Sequence, residues 1–393
     1  MKFLPLSARD RTTMLASIGL AEQELHQHVR MDSPSIFDAR TEPEIMADLE
    51  PLAVPIREPL SGFGIGNYFI PSVVNTIASR GEFVTAYTPY QPECAQGTLT
   101  TIFEFQSRIC RLTGMDVSNA GLYDGSTAVV EAVLMAMAET ARTEVAVARS
   151  VCPAYREVLA THLLGRGAKI VEIPFDMTTG RIQPIEKYVN ENTLGVVIQS
   201  PNVFGVVERE ISDAFAAAKN SGAIPIQIFH PLGVTILPTP AEVGAEIAVA
   251  EGQPLGIPLC GGGPFLGLIA ASSRFMRRLP GRIVGHTRDV EGRDAFVLTL
   301  QTREQHIRRE RATSNICTNQ ALMTLRATVY IGTMGMDGMR AEALRLRNKA
   351  DRASKGKRIF SGEIFNEYVS REKNGIPLEY PELINATLHA VTQ

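Results

Sequence analysis

The stretch Glu251-Gly-Gln-Pro-Leu-Gly-Ile-Pro-Leu-Cys-Gly-Gly-Gly-Pro-Phe-Leu-Gly267 decides how the rest of the chain is read. Crowded with glycine and proline, it cannot be regular helix or strand, yet it sits between apolar runs at 246–250 and 265–271 that have the composition of buried strands. Working outward, similar runs occur at 144–148, 169–173, 194–199 and 224–229, and helical spacings at 155–164 and 212–220 fall between them. Short aliphatic runs alternating with helices imply parallel strands covered on both faces. The expectation is a large three-layer α/β domain with a mainly parallel sheet.

Upstream, Leu99, Ile102, Phe103, Phe105, Ile109 and Leu112 recur at helical spacing, and Gly114 follows as a left-handed cap. Tyr123-Asp-Gly-Ser-Thr127 opens a long apolar helix over 128–140. Asp124, Gly125, Ser126 and Thr127 either cap that helix or cradle an anion at its positive end, and both readings stand. Residues 1–60 are polar with helical spacing at 7–20 and 42–49, then Pro51, Pro55 and Pro59, and read as a helical N-terminal arm. The large α/β domain is placed over 61–335. A small, curtailed α+β domain follows over 336–393, with a basic helix at 339–353 and a strand at 364–369. Gly62-Phe-Gly-Ile-Gly66 lacks the preceding strand and the helix-opening glycine of a dinucleotide fingerprint.

Composition narrows the function classes. Of 393 residues, 45% are hydrophobic and 21% charged, and a net charge of -3 leaves no electrostatic footprint for nucleic acid. No apolar stretch approaches the roughly 18 residues of a membrane span, and the short apolar start does not read as a signal peptide. Cys94, Cys110, Cys152, Cys260 and Cys317 are scattered without a C-x-x-C pair, which points to reduced, buried thiols in a cytoplasmic protein and to no metal site.

Several segments carry a more specific signal: Tyr87-Thr-Pro-Tyr-Gln-Pro-Glu93, Tyr123-Asp-Gly-Ser-Thr-Ala128, Gly252-Gln-Pro-Leu-Gly256, Pro280-Gly-Arg-Ile-Val-Gly285 and Leu298-Thr-Leu-Gln301. Arg303-Glu-Gln-His-Ile-Arg-Arg-Glu310 and Ala312-Thr-Ser-Asn-Ile-Cys-Thr-Asn-Gln-Ala-Leu322 add to it. Together they resemble the glycine decarboxylase P-protein of the glycine cleavage system, specifically its subunit 1, over roughly residues 1–370. The resemblance implies a pyridoxal-phosphate (PLP)-dependent transferase-like fold of type I. It also implies a heterotetramer in which subunit 2 carries the PLP, so that this chain binds none covalently and is not catalytic alone. The joint enzyme, glycine dehydrogenase (aminomethyl-transferring), decarboxylates glycine and passes the aminomethyl group to the lipoylated H-protein.

The residues can be set against that division of labour. PLP chemistry needs an imine-forming lysine, an acid for the pyridine nitrogen and an anion cradle. No lysine lies between Lys219 and Lys349. At the end of the 224–229 run stands His230, where subunit 1 proteins usually show aspartate, and an imidazole cannot hold a pyridinium charged as a carboxylate does. Only Asp124 to Thr127 remain, as a vestigial phosphate cradle. Cys152 replaces a family histidine and reads as a buried thiol.

For the shared site, the resemblance nominates Tyr87, Tyr90, Gln91 and Glu93, on a proline-stiffened loop that either holds substrate across a subunit interface or buries rings against subunit 2. His306, Arg308, Arg309 and Arg311 either steer the acidic H-protein or the substrate carboxylate, or form a solvated face with ion pairs among Arg303, Glu304, Arg309 and Glu310. Asn315 and Asn319 read as turn and cap residues first and interface ligands second. The other functional reading is a diverged, cofactor-free homologue that scaffolds or regulates another PLP enzyme.

Overall fold

The computed structural model describes residues 7–21, 24, 40–53, 62–312, 314–317, 319–383 and 385–391. The chain divides into two units, Met1–Glu58 and Pro59–Gln393. In the first, helix α1 (Ala8–Ser17) starts with a capping box in which Ser7 and Asp10 satisfy each other's backbone N–H groups. Helix α2 (Glu42–Leu49) starts with the Glu44 carboxylate accepting from the Thr41 N–H at 2.8 Å, and a single turn at Glu50–Leu52 follows where Pro51 ends the ladder.

The second unit runs, in order, α3 (Ser72–Ala78), α4 (Gly81–Val84), α5 (Gln96–Thr113), β1 (Val117–Ser118), α6 (Gly125–Thr140), β2 (Glu144–Ala148), α7 (Pro153–Leu164), β3 (Lys169–Ile173) and β4 (Thr193–Ser200). Then come α8 (Ile211–Asn220), β5 (Ile224–Phe229), β6 (Ile247–Glu251), β7 (Gly267–Ala271), β8 (Ile283–Arg288), β9 (Asp294–Thr299), α9 (Gln305–Arg308), α10 (Ala321–Ser354), β10 (Glu367–Ser370), β11 (Ile376–Pro377) and β12 (Thr387–Ala390). Gly335, at φ 59° and ψ 179°, breaks α10 into two helical pieces.

A seven-stranded sheet in the order β1-β7-β6-β5-β4-β2-β3 forms the middle layer. Strands β3, β2, β4, β5 and β6 are mutually parallel, as the alternation of apolar runs predicts. The reading of 265–271 as one more parallel strand is corrected: β7 pairs antiparallel with β6, Glu251 facing Gly267. The glycine-rich connection holds no crossover helix, so the chain can only return alongside itself. Side chains of β4 reach two core layers, Leu194 and Val197 on the α6 side and Val196 and Ile198 on the other. All four are fully buried, each worth roughly 1.5–3 kcal/mol, so a charge at Val197 would break the sheet's packing.

The sequence reading missed the β8–β9 hairpin. It lies against α5, where the amide of Gln106 bonds both to the Val284 carbonyl (3.0 Å) and from the Val284 N–H (2.9 Å). Gln96 does the same at Phe296, with both bonds at 2.9 Å. Two side-chain amides thereby stand in for a neighbouring strand and close the hairpin edges. Beyond α10, β10, β12 and β11 form a small antiparallel sheet. The expectation of five buried cysteines is also corrected: Cys152 is buried, Cys110 is intermediate, and Cys94, Cys260 and Cys317 are exposed because they lie in connecting loops.

Candidate functional site

In an open α/β sheet, ligands bind beyond the carboxyl ends of the strands. Here those ends are Ser200, Phe229 and Glu251, and the start of α6 faces them. Asp124 is the N-cap of α6: its carboxylate accepts from the Thr127 N–H at 2.7 Å and from the Ser126 hydroxyl at 2.6 Å. The free N–H of Gly125 donates at 2.9 Å to the carboxylate of Glu251. That carboxylate also accepts from the N–H groups of Gln253 (2.9 Å) and Leu266 (3.1 Å). A buried carboxyl group supplied by the chain itself thus occupies the positive end of the helix. Burial pushes the Glu251 carboxyl up to about 7, against the pull of its three N–H donors.

The rest of the strand-end space is filled as well. His230 is buried, and Nδ1 accepts from the N–H groups of Leu232 (3.2 Å) and Gly233 (3.3 Å), which places the ring proton on Nε2. Nε2 then donates to the Tyr68 hydroxyl at 3.0 Å; that hydroxyl also accepts from Asn366 (3.1 Å) and donates to the Gly64 carbonyl (3.1 Å). Burial lowers the His230 pKa to about 3, so the ring is neutral. The turn Gly62–Ile65 is pinned by Glu367, which accepts from the Gly64 N–H at 2.9 Å, and by Gln253, which accepts from the Gly66 N–H at 3.0 Å. Cys152 precedes α7 with its N–H donating to Gln199 Oε1 at 2.8 Å, and burial raises its thiol to about 11.

Between these groups only about 30 Å³ is left, room for a water or two. A PLP molecule does not fit these residues: Glu251 fills the cradle, a neutral imidazole stands for the acid, and no lysine lies between Lys219 and Lys349. The run Gly261-Gly-Gly-Pro264 lies elsewhere, in a largely exposed loop where Gly261 (φ 67°), Gly262 (φ 118°) and Gly263 (φ 138°) take backbone angles other residues avoid. Among the described residues no cluster of three or more His, Cys, Asp or Glu could hold a metal, and no helix is long and apolar enough to cross a membrane.

The other candidate residues lie apart from this buried centre. Tyr90, His306, Arg309 and Asn315 line one surface cavity of about 570 Å³, with the Tyr90 and His306 rings edge to face at 6.1 Å. Tyr87, 84% exposed, borders a neighbouring cavity of about 250 Å³ together with Arg282 and Asn319. Gln91, Glu93 and Arg308 are exposed but line neither cavity, and Arg311 sits beside Glu310 at 3.9 Å. Among the described residues Arg303 pairs with no carboxylate: it donates to the carbonyls of Leu279, Gly281 and Leu300 and ties the charged run to the loop before β8. Asn319 bonds the Ala120 carbonyl (2.8 Å) and accepts from Arg282 (2.9 Å).

The family described as glycine cleavage system P-protein matches residues 1–380. The chain belongs to that family. It is 43% identical to the probable glycine dehydrogenase (decarboxylating) subunit 1 of Moorella thermoacetica, over 100% of this chain and 96% of that one. It is 41% identical to the protein of the same description from Carboxydothermus hydrogenoformans, with the same shares covered. A crystal structure of glycine decarboxylase (P-protein) of the glycine cleavage system, in inhibitor-bound form, superposes with a TM-score of 0.85 at 36% identity, covering 100% of this chain and 96% of that chain. A sphingosine-1-phosphate lyase from Burkholderia pseudomallei, at 15% identity and a TM-score of 0.65 over 93% of this chain and 89% of that chain, shares the fold alone. The fold is thus that of the type I PLP-dependent enzymes, as expected.

For this P-protein family member, sequence reasoning missed the groups that fill the buried centre, Glu251, Gln253 and the Gly62–Ile65 turn, and it missed Arg282. Glu251 and Gln253 were legible as the polar side chains at the head of an otherwise apolar, glycine-rich stretch. Arg282 was legible as a cation immediately before the apolar start of β8.

Proposed function

We propose that this chain is subunit 1 of a glycine dehydrogenase (decarboxylating), cytoplasmic, and that it completes the active site of a PLP-bearing subunit 2 in a heterotetramer. The observation that carries this reading is the Glu251 carboxylate on the Gly125 N–H, because a chain that fills its own anion cradle leaves the cofactor to another subunit. Family membership and about 40% identity to proteins described as subunit 1 support it. In this reading the PLP of subunit 2 supplies the electron sink for glycine decarboxylation, and the lipoylated H-protein takes the aminomethyl group. This chain contributes the surface that carries Tyr87, Tyr90, Gln91, Glu93, His306, Arg308, Arg309 and Asn315.

The test is reconstitution. Subunit 2 and lipoylated H-protein, with glycine, should exchange carbon dioxide only when this chain is added. Exchange that is the same without it would leave the chain a scaffold or regulator.

A further inference from the structure

Arg282 is only 4% exposed, and among the described residues its guanidinium bonds to Asn319 and Tyr90 rather than to a carboxylate. A buried cation without a counterion is costly, so its remaining contacts say what it awaits. Nη1 donates to Asn319 Oδ1 at 2.9 Å, and Asn319 is itself anchored on the Ala120 carbonyl, so the fork is held in one orientation. Among the described residues Nη2 reaches only the Tyr90 hydroxyl, at a long 3.4 Å, and Nε has no partner. The Nε/Nη2 edge can take a carboxylate with two parallel bonds. Over it stands Tyr90, its ring centroid 5.6 Å from the guanidinium carbon, on a loop where it is 49% exposed. Arg282 also borders the 250 Å³ cavity shared with Tyr87, a space on the scale of a small molecule.

We propose that Arg282 receives the carboxylate of glycine, with Asn319 as its positioning residue and Tyr90 as the cover the carboxylate displaces. The inference rests on the reading above, in which this surface completes the partner's site.

The experiment uses the complex with the PLP-bearing subunit and reads two quantities: the glycine KM and kcat of carbon dioxide exchange, and glycine affinity by calorimetry without H-protein. Arg282→Gln should raise KM and weaken affinity together, roughly 10- to 100-fold, with a smaller loss in kcat. Arg282→Lys, which keeps the charge but loses the fork, should fall between. Unchanged KM and affinity in an Arg282→Gln complex that elutes intact would overturn the proposal. So would a complex that loosens on gel filtration at unchanged KM, since the carboxylate would then be a side chain of the partner. If Arg282→Gln does not assemble, an unchanged KM in Arg282→Lys overturns it equally. A wild-type complex that binds glycine without exchange counts against the subunit reading, while weaker binding in Arg282→Gln still supports this one. Absence of glycine binding in the wild type overturns both.

Discussion

Glu251 accepts a hydrogen bond from the backbone N–H of Gly125 at 2.9 Å, joining the end of a central strand to the start of the apolar helix α6. The bond replaces an anionic ligand with a residue of the chain. It also explains why position 125 is glycine: a Cβ there would collide with the Tyr155 hydroxyl and press on Glu251.

Removing that carboxylate should therefore uncover an anion site. Glu251→Ala leaves three buried N–H groups without an acceptor and should destabilise the chain by about 1–3 kcal/mol. Inorganic phosphate should then raise the melting temperature of the variant more than that of the wild type, compared at equal ionic strength in chloride. An equal response in both proteins would show that no cradle was freed.

Stability should fall as pH rises through the weakly acidic range. Burial pushes Glu131, Glu208, Glu251 and Glu367 each up to about 7, so the native state binds protons that the unfolded chain releases near 4.5. Each such group lowers stability by up to about 1.4 kcal/mol per pH unit between those values, and the stability it supports at low pH is gone above its folded pKa. His230, lowered to about 3, and His389, lowered by its burial, work in the opposite sense below 6.5 and offset only part of the four. Melting temperature measured from pH 5 to 8 should decline, and Glu251→Gln should make the decline shallower. A rising profile would contradict the burial-dominated account.

Gly205 is a backbone-limited position. At φ 77° it lies against the carbonyl of Glu367, with which any Cβ would collide, and its own carbonyl accepts from the Phe365 N–H at 3.0 Å. Gly205→Ala should cost about 3 kcal/mol or more, through the left-handed backbone and the separation of the 202–206 turn from β10. Urea unfolding checks the value; a loss under 1 kcal/mol would mean the two segments part easily.

The purified chain mixed with PLP should give no borohydride-trapped adduct at a single residue, since no lysine lies between Lys219 and Lys349 and the strand-end space is about 30 Å³. Peptide mapping after reduction reads this directly. One uniquely modified lysine would show that a cofactor enters the chain by another route.

The layered fold was legible because its signals are local. Apolar runs at 194–199 and 224–229 became β4 and β5, and the Leu99 to Leu112 spacing became α5, closed by Gly114 at φ 73°. The missing lysine and the histidine at 230 could also be read directly, since each is a matter of residue identity. The antiparallel return of β7 and the β8–β9 hairpin were less so: the first depends on what a 15-residue loop can span, and the second on amides 178 to 200 residues away in sequence. Tyr87, Tyr90 and the 306–315 run could be nominated, but their division between two cavities needed the fold.

By itself, the sequence determined that this is an α/β chain of the P-protein family with no lysine at the expected place for an imine. Only the tertiary structure decided what stands in the cofactor's place. In the stretch 251–267 the glycine run, so prominent in the sequence, went to the surface, while Glu251 turned inward. The reason is physical: a helix start exerts its field over a few ångströms of space, and which anion meets it depends on chain segments 126 residues apart being folded together.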